Sequence, residues 1–177
     1  MSLRVFQICM LLVLAACGTS AKTNSADAQA PAGAANLPLS QPPFASTAIA
    51  TFDNPWAMAF LPGTSTAIVT EKPGHIWLVD VRTGQKQSVG GAPQGVYHGQ
   101  GGLLDVVLAP AFGSNGEVYL TYSEPSANGG SGLAMARAKL VRSAGAARLD
   151  GMQVLWRDPA GGEGGQFGGI IAFAPDG

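Results

Sequence analysis

Pro55-Trp56-Ala57-Met58-Ala59-Phe60-Leu61-Pro62 is an apolar run closed by proline, and the chain uses its shape three times. Leu103-Leu104-Asp105-Val106-Val107-Leu108-Ala109-Pro110 is the second use, and Ile171-Ala172-Phe173-Ala174-Pro175 the third. The shared form is apolar-x-apolar-x-Pro. Its prolines at 62, 110 and 175 are 48 and 65 residues apart. These spacings suit four-stranded units, one with a longer inter-strand loop. After the first opening, Ala67-Ile68-Val69-Thr70 reads as a strand ended by Lys72-Pro73-Gly74. His75 to Val81 reads as the next, closed by Arg82-Thr83-Gly84. After the second opening come a turn at Gly113-Ser114-Asn115-Gly116 and strands at Glu117–Tyr122, Leu133–Leu140 and Val154–Arg157. Strand and turn alternating every ten residues or so mark an antiparallel meander. The folded part contains no sustained helical apolar period. A β-sandwich also uses such strands, but one opening recurring three times favours an all-β propeller. The chain is expected to hold about two blades and the start of a third.

The ends and the composition narrow the setting. Net charge is −1, and only 12% of the 177 residues are charged, which gives no electrostatic footprint for nucleic acid. The 25 glycines fit a turn-rich fold. Residues 1–16 read as a signal peptide: Arg4 opens it, and the apolar stretch to Leu14 is too short to span a bilayer. Leu14-Ala15-Ala16-Cys17 resembles a bacterial lipobox, with Cys17 as the lipidated residue; the competing reading is an ordinary secretory cut near Ala16. The expected address is the periplasm, with a lipid anchor in the outer membrane. Residues 17–44 read as the anchor cysteine and a flexible Ala/Ser/Asn/Pro tether, and 45–177 as a truncated propeller domain. Beyond Cys9 and Cys17 there is no cysteine, so no disulfide is expected in the folded part.

Several ordered motifs resemble the soluble sugar dehydrogenases that use pyrroloquinoline quinone (PQQ), the aldose and glucose/sorbosone dehydrogenase family. They are Pro55 to Pro62, Val69-Thr70-Glu71-Lys72-Pro73-Gly74, Gly99-Gln100-Gly101-Gly102-Leu103-Leu104-Asp105, Tyr119 to Pro125, and Phe167-Gly168-Gly169 with Ile171 to Gly177. The resemblance covers about residues 45–177. It implies a six-bladed propeller with PQQ on its axis, a calcium ion polarising the quinone, and a His that takes a proton from the anomeric hydroxyl while hydride passes to PQQ. The implied substrate is an aldose, the product a lactone, and the further partner an electron acceptor. Hydride leaves readily only from an alkoxide-like carbon, so a base must reach the hydroxyl.

The family's site carries over only in part. Gln100 matches the glutamine beside substrate and cofactor, and its amide both donates and accepts. Gln166 falls where the resemblance places the catalytic His, and Ile170 where it places an Arg. A glutamine amide cannot serve as general base. The principal ligands of calcium and quinone are expected beyond residue 177, with no metal site in this stretch. Glu163 reads as a solvated loop acid, His98 as a loop histidine and His75 as a surface residue at a strand start. Asp105 is expected to bond turn amides between blades. Trp56, Trp77, Trp156, Phe60 and Tyr119 are expected to pack between blades rather than to stack on sugar. Alone, the stretch is expected to be inactive. The rival reading is a catalytically silent propeller that binds carbohydrate or protein at the cell surface, favoured by Gln166 and Ile170.

Overall fold

A computed structural model describes residues 44–127, 129–159, 161–162 and 167–175. Its elements are β1 (Pro55–Phe60), β2 (Thr66–Glu71), β3 (His75–Asp80), β4 (Lys86–Gly90), β5 (Leu103–Leu108), α1 (Phe112–Asn115), β6 (Glu117–Pro125), β7 (Ser131–Ser143) and β8 (Ala146–Arg157). Strands β1 to β4 form one antiparallel meander and β5 to β8 another. The outer strands β4 and β8 touch in a short parallel contact, Val89 with Ala147 and Gly90 with Arg148. The strand order is therefore β1-β2-β3-β4-β8-β7-β6-β5. The inner strands β1 and β5 also meet, so the two meanders lie face to face. They are two blades of a β-propeller.

The core sits between the blades. Ile68, Ile76 and Leu78 of blade 1 meet Val106, Val118 and Leu120 of blade 2. The other face of blade 1 puts Ala67, Val69 and Val79 under Ala50 and Phe52. Lys86 pins this N-terminal segment: its ammonium donates to the Thr51 carbonyl at 2.9 Å and lies 4.3 Å from the Phe52 ring and 4.1 Å from the Trp77 ring.

The repeat read from the prolines holds to the residue. Met58 pairs with Val69, and Val106 with Leu120; Pro55 pairs with Glu71, and Leu103 with Tyr122. Each inner hairpin is irregular at the same place, between these pairs. Two threonines repeat the stitch between units. Thr70 Oγ1 accepts from Ala57 N at 3.2 Å and donates to Leu104 O at 2.6 Å. Thr121 Oγ1 accepts from Asp105 N at 3.1 Å and donates to Gly169 O at 2.6 Å. Trp56, Leu104 and Gly169 are thus equivalent, as are Ala57, Asp105 and Ile170.

Four expectations need correction. Residues 171–175 form no strand; they lie on blade 2 through the Ile171 N–H to Asp105 bond and an edge-on Tyr119–Phe173 contact. No strand pairs with them among the described residues. The turn at 113–116 is the single helical turn α1, closed by Gly116 at φ 69°. Strand β4, Lys86-Gln87-Ser88-Val89-Gly90, was not anticipated, because only Val89 in it is buried. Trp56, Phe60 and Trp156 are exposed, since the sides they face have no neighbouring blade among the described residues.

Candidate functional site

Gln100 lies on the loop from β4 to β5, and both blades clasp that loop. From blade 2, buried Ser123 holds the base with four bonds. Its hydroxyl accepts from Gly102 N at 2.7 Å and donates to Val96 O at 2.8 Å. Its own N–H donates to Gly102 O at 2.9 Å, and its carbonyl accepts from Val96 N at 2.8 Å. From blade 1, Lys72 O accepts from Leu103 N at 3.0 Å, and Lys72 Nζ donates to Gly99 O at 2.8 Å. Gly102 has to be glycine: its φ is +133°, and a Cβ there would lie 2.3 Å from Lys72 O. Inside the loop, Gly101 N donates to His98 O at 2.9 Å, which closes a turn with Gln100 in its interior.

Gln100 itself is exposed, and its amide has no hydrogen-bond partner among the described residues. It stands three residues ahead of β5, at the end of the blades where the inner strands begin. A fixed backbone that carries an unengaged amide is suited to bonding hydroxyls or carbonyls of a ligand.

At the same repeat end, the Asp105 carboxylate accepts from Val106 N at 2.9 Å and from Ile171 N at 2.7 Å. It ties blade 2 to the third opening. Gly169 is buried at φ +29°, where a Cβ would meet Leu104 Cδ1 at 3.1 Å and Thr121 Oγ1 at 3.2 Å. The next residue, Ile170, is 84% exposed. His98 is exposed on the Gln100 loop. His75 opens β3 with its side chain mostly in solvent and its Nδ1 3.1 Å from Glu71 Oε2. Cys17, Glu163 and Gln166 lie outside the described residues.

Among the described residues, no three His, Cys, Asp or Glu side chains converge on a point that could hold a metal. No helix of the described residues is long and apolar enough to cross a membrane. Reading single motifs missed Lys72 and Ser123. Overlaying the repeats would have found them, because each stands two residues after a stitching threonine, in Thr70-Glu71-Lys72 and Thr121-Tyr122-Ser123.

Comparison with known proteins gives this geometry a context. Residues 52–177 match the family profile described as Glucose / Sorbosone dehydrogenase. The aldose sugar dehydrogenase YliI of Escherichia coli (strain K12) is 35% identical over 122 residues, which are 68% of this chain and 32% of the relative. A glucose dehydrogenase crystal structure is similar at 36% identity and TM-score 0.65, covering 71% of this chain and 36% of that one. The PQQ-bound form of an aldose sugar dehydrogenase from Streptomyces coelicolor is similar at 29% identity and TM-score 0.57, over 71% of this chain and 36% of that one. The chain spans about a third of the length of these relatives.

Proposed function

This chain belongs to the glucose/sorbosone dehydrogenase family, and from that premise we propose that it supplies two blades of a PQQ-dependent enzyme oxidising an aldose at its anomeric carbon to a lactone. The observation that carries the reading is Gln100: an unengaged amide on a loop clasped from both blades, at the end where the inner strands begin. Its carboxamide would accept from a sugar hydroxyl and donate to a hydroxyl or quinone oxygen. PQQ, when bound, takes up the hydride. Calcium is proposed from family membership alone, and no step is routed through it. The electron acceptor lies outside the chain.

The proton is where this chain departs from the family pattern. Gln166 cannot remove it from the anomeric hydroxyl, because an amide does not titrate near neutral pH. Ile170, exposed and uncharged, brings no cation to the position where the family pattern has Arg. We infer that this stretch is inactive alone and weakly active within a whole propeller. The second reading, a silent cell-surface propeller that binds carbohydrate or protein, draws support from the same exposed Ile170. Cys17 as a lipid anchor and a periplasmic, outer-membrane address complete the proposal. Cys17→Ser should abolish labelling by a palmitate analogue and membrane fractionation, and unchanged labelling overturns the anchor.

The enzymatic test is a chimera in which the downstream blades come from the Escherichia coli aldose sugar dehydrogenase. It is assayed with PQQ, calcium and a dye acceptor. The unmodified chimera should turn over sugar slowly. Gln166→His should raise the rate about a hundredfold, the lower range of general-base catalysis, and adding Ile170→Arg should raise it further. Turnover at the relative's own rate without either change would show that residue 166 does not hold the base position.

A further inference from the structure

Ser123 holds the base of the Gln100 loop, and Lys72 holds its tip. Lys72 leaves blade 1 in the turn after β2, at the repeat position that Ser123 fills in blade 2. Its ammonium donates to the carbonyl of Gly99, the residue before Gln100, at 2.8 Å. The same ammonium lies 5.7 Å from the Trp56 ring centroid and 5.7 Å from that of Tyr97. Its main chain is fixed as well: Lys72 N donates to Asn54 O at 3.0 Å, and Lys72 O accepts from Leu103 N at 3.0 Å. One residue therefore holds the chain on both sides of Gln100. Trp56 and Tyr97 are exposed, and each offers its ring to the cation.

We propose that Lys72 is the positioning residue of the site, fixing through Gly99 the direction in which the Gln100 amide meets sugar or cofactor. The proposal rests on the reading of Gln100 as a ligand contact, with Lys72 acting through Gly99. A long side chain on a free loop loses conformational entropy when it binds, and a loop already held in place avoids that cost. The bond is charge-assisted, and the same ammonium is within cation–π range of two rings, which makes it stronger than a neutral bond on an open loop. Methionine at 72 keeps the apolar stem over the rings and loses the donor. Arginine keeps both the donor and the stacking.

The experiment is amide hydrogen exchange of the full 177-residue chain, read residue by residue by NMR. Lys72→Met should speed exchange at Gly101, whose N–H closes the Gln100 turn, by about tenfold. Thr70 and Leu120, in the inter-blade core, should be unchanged. Lys72→Arg should restore Gly101 to within about twofold of the parent. Unchanged exchange at Gly101 in the methionine variant overturns the proposal. So does an equal loss of protection in the core, which would make Lys72 a support of the fold rather than of the turn. Failure of arginine to restore Gly101 overturns it too. No ligand enters this measurement, so its outcome is independent of the role of Gln100. That role fails separately if Gln100→Leu leaves sugar turnover of the chimera unchanged.

Discussion

Blade 1 and blade 2 share register, inner-hairpin irregularity and stitching threonine, yet their inner strands meet different surroundings. In β5, Val106 is buried in the core shared with blade 1 and is 1% exposed. The equivalent residue of β1, Met58, lies outside that core and is 60% exposed. Both strands carry apolar side chains on that face. Apolar patterning marks the side of a repeat built to be covered, and burial depends on which neighbour is present. The strap of Ala50 and Phe52 covers β2 and β3 of blade 1 but leaves this side of β1 open.

The threonine stitch offers the hardest test of the equivalence. Thr70 is fully buried, and Thr70→Val would strand the Leu104 carbonyl and the Ala57 N–H between the blades. Each unsatisfied buried group costs about 1–3 kcal/mol, so we expect a loss of about 3 kcal/mol in urea unfolding. Thr121→Val should cost less, about 2 kcal/mol, because its partner Asp105 is only half-buried and water reaches the freed N–H. Equal losses would mean that the third opening is sealed as tightly as the blade 1–blade 2 seam. A greater loss at Thr121 would break the comparison.

Val106 and Met58 sharpen it next. Val106→Ala removes methyls from the packed seam and should cost about 2 kcal/mol. Met58→Ala, at the same repeat position, should fall within about 0.5 kcal/mol of the parent. Both changes are read by the same chemical denaturation. A large loss at Met58 would mean that the open side of β1 is covered in solution.

The openings, the prolines and most of the strands were legible because apolar alternation and β-branching report on packing that a strand needs wherever it occurs. Strand β4 was not, because an outer strand with one buried side chain carries almost no such pattern. The fate of Trp56 and Trp156 was misjudged for the reason the blade comparison supplies: an aromatic residue in a strand states a preference, and the neighbour decides. At the candidate site, the sequence singled out the Gln100 loop through its glycine-rich motif and its resemblance to the family. The clasp was not legible, since Ser123 and Lys72 act on backbone groups of Val96, Gly99, Gly102 and Leu103, and a bond to a carbonyl leaves no mark on the identity of its partner.

The smallest expected effect sets Glu71 against Tyr122, which fill one repeat position and titrate at opposite ends of the pH scale. Burial alone would raise the Glu71 pKa. It is outweighed by the nearby Trp77 indole N–H, by the Asp53 N–H at 2.8 Å, by His75 and by the Lys86 charge, so Glu71 sits below its ordinary value. A carboxylate with a depressed folded pKa stabilises the fold above its unfolded value, and that stability is lost as pH falls through the folded one. Tyr122 is raised, first by burial and then by the neighbouring Glu124 charge, with Arg157 opposing. Its neutral phenol favours the fold below the unfolded tyrosine pKa near 10, and the gain disappears as pH rises through the higher folded value. Denaturation midpoints taken across pH should therefore fall at both ends. Glu71→Gln should flatten only the acid limb, and Tyr122→Phe only the alkaline one. If Glu71→Gln leaves the acid limb as steep as before, the contacts of Glu71 with Asp53, His75 and Lys86 do not set the acid limb.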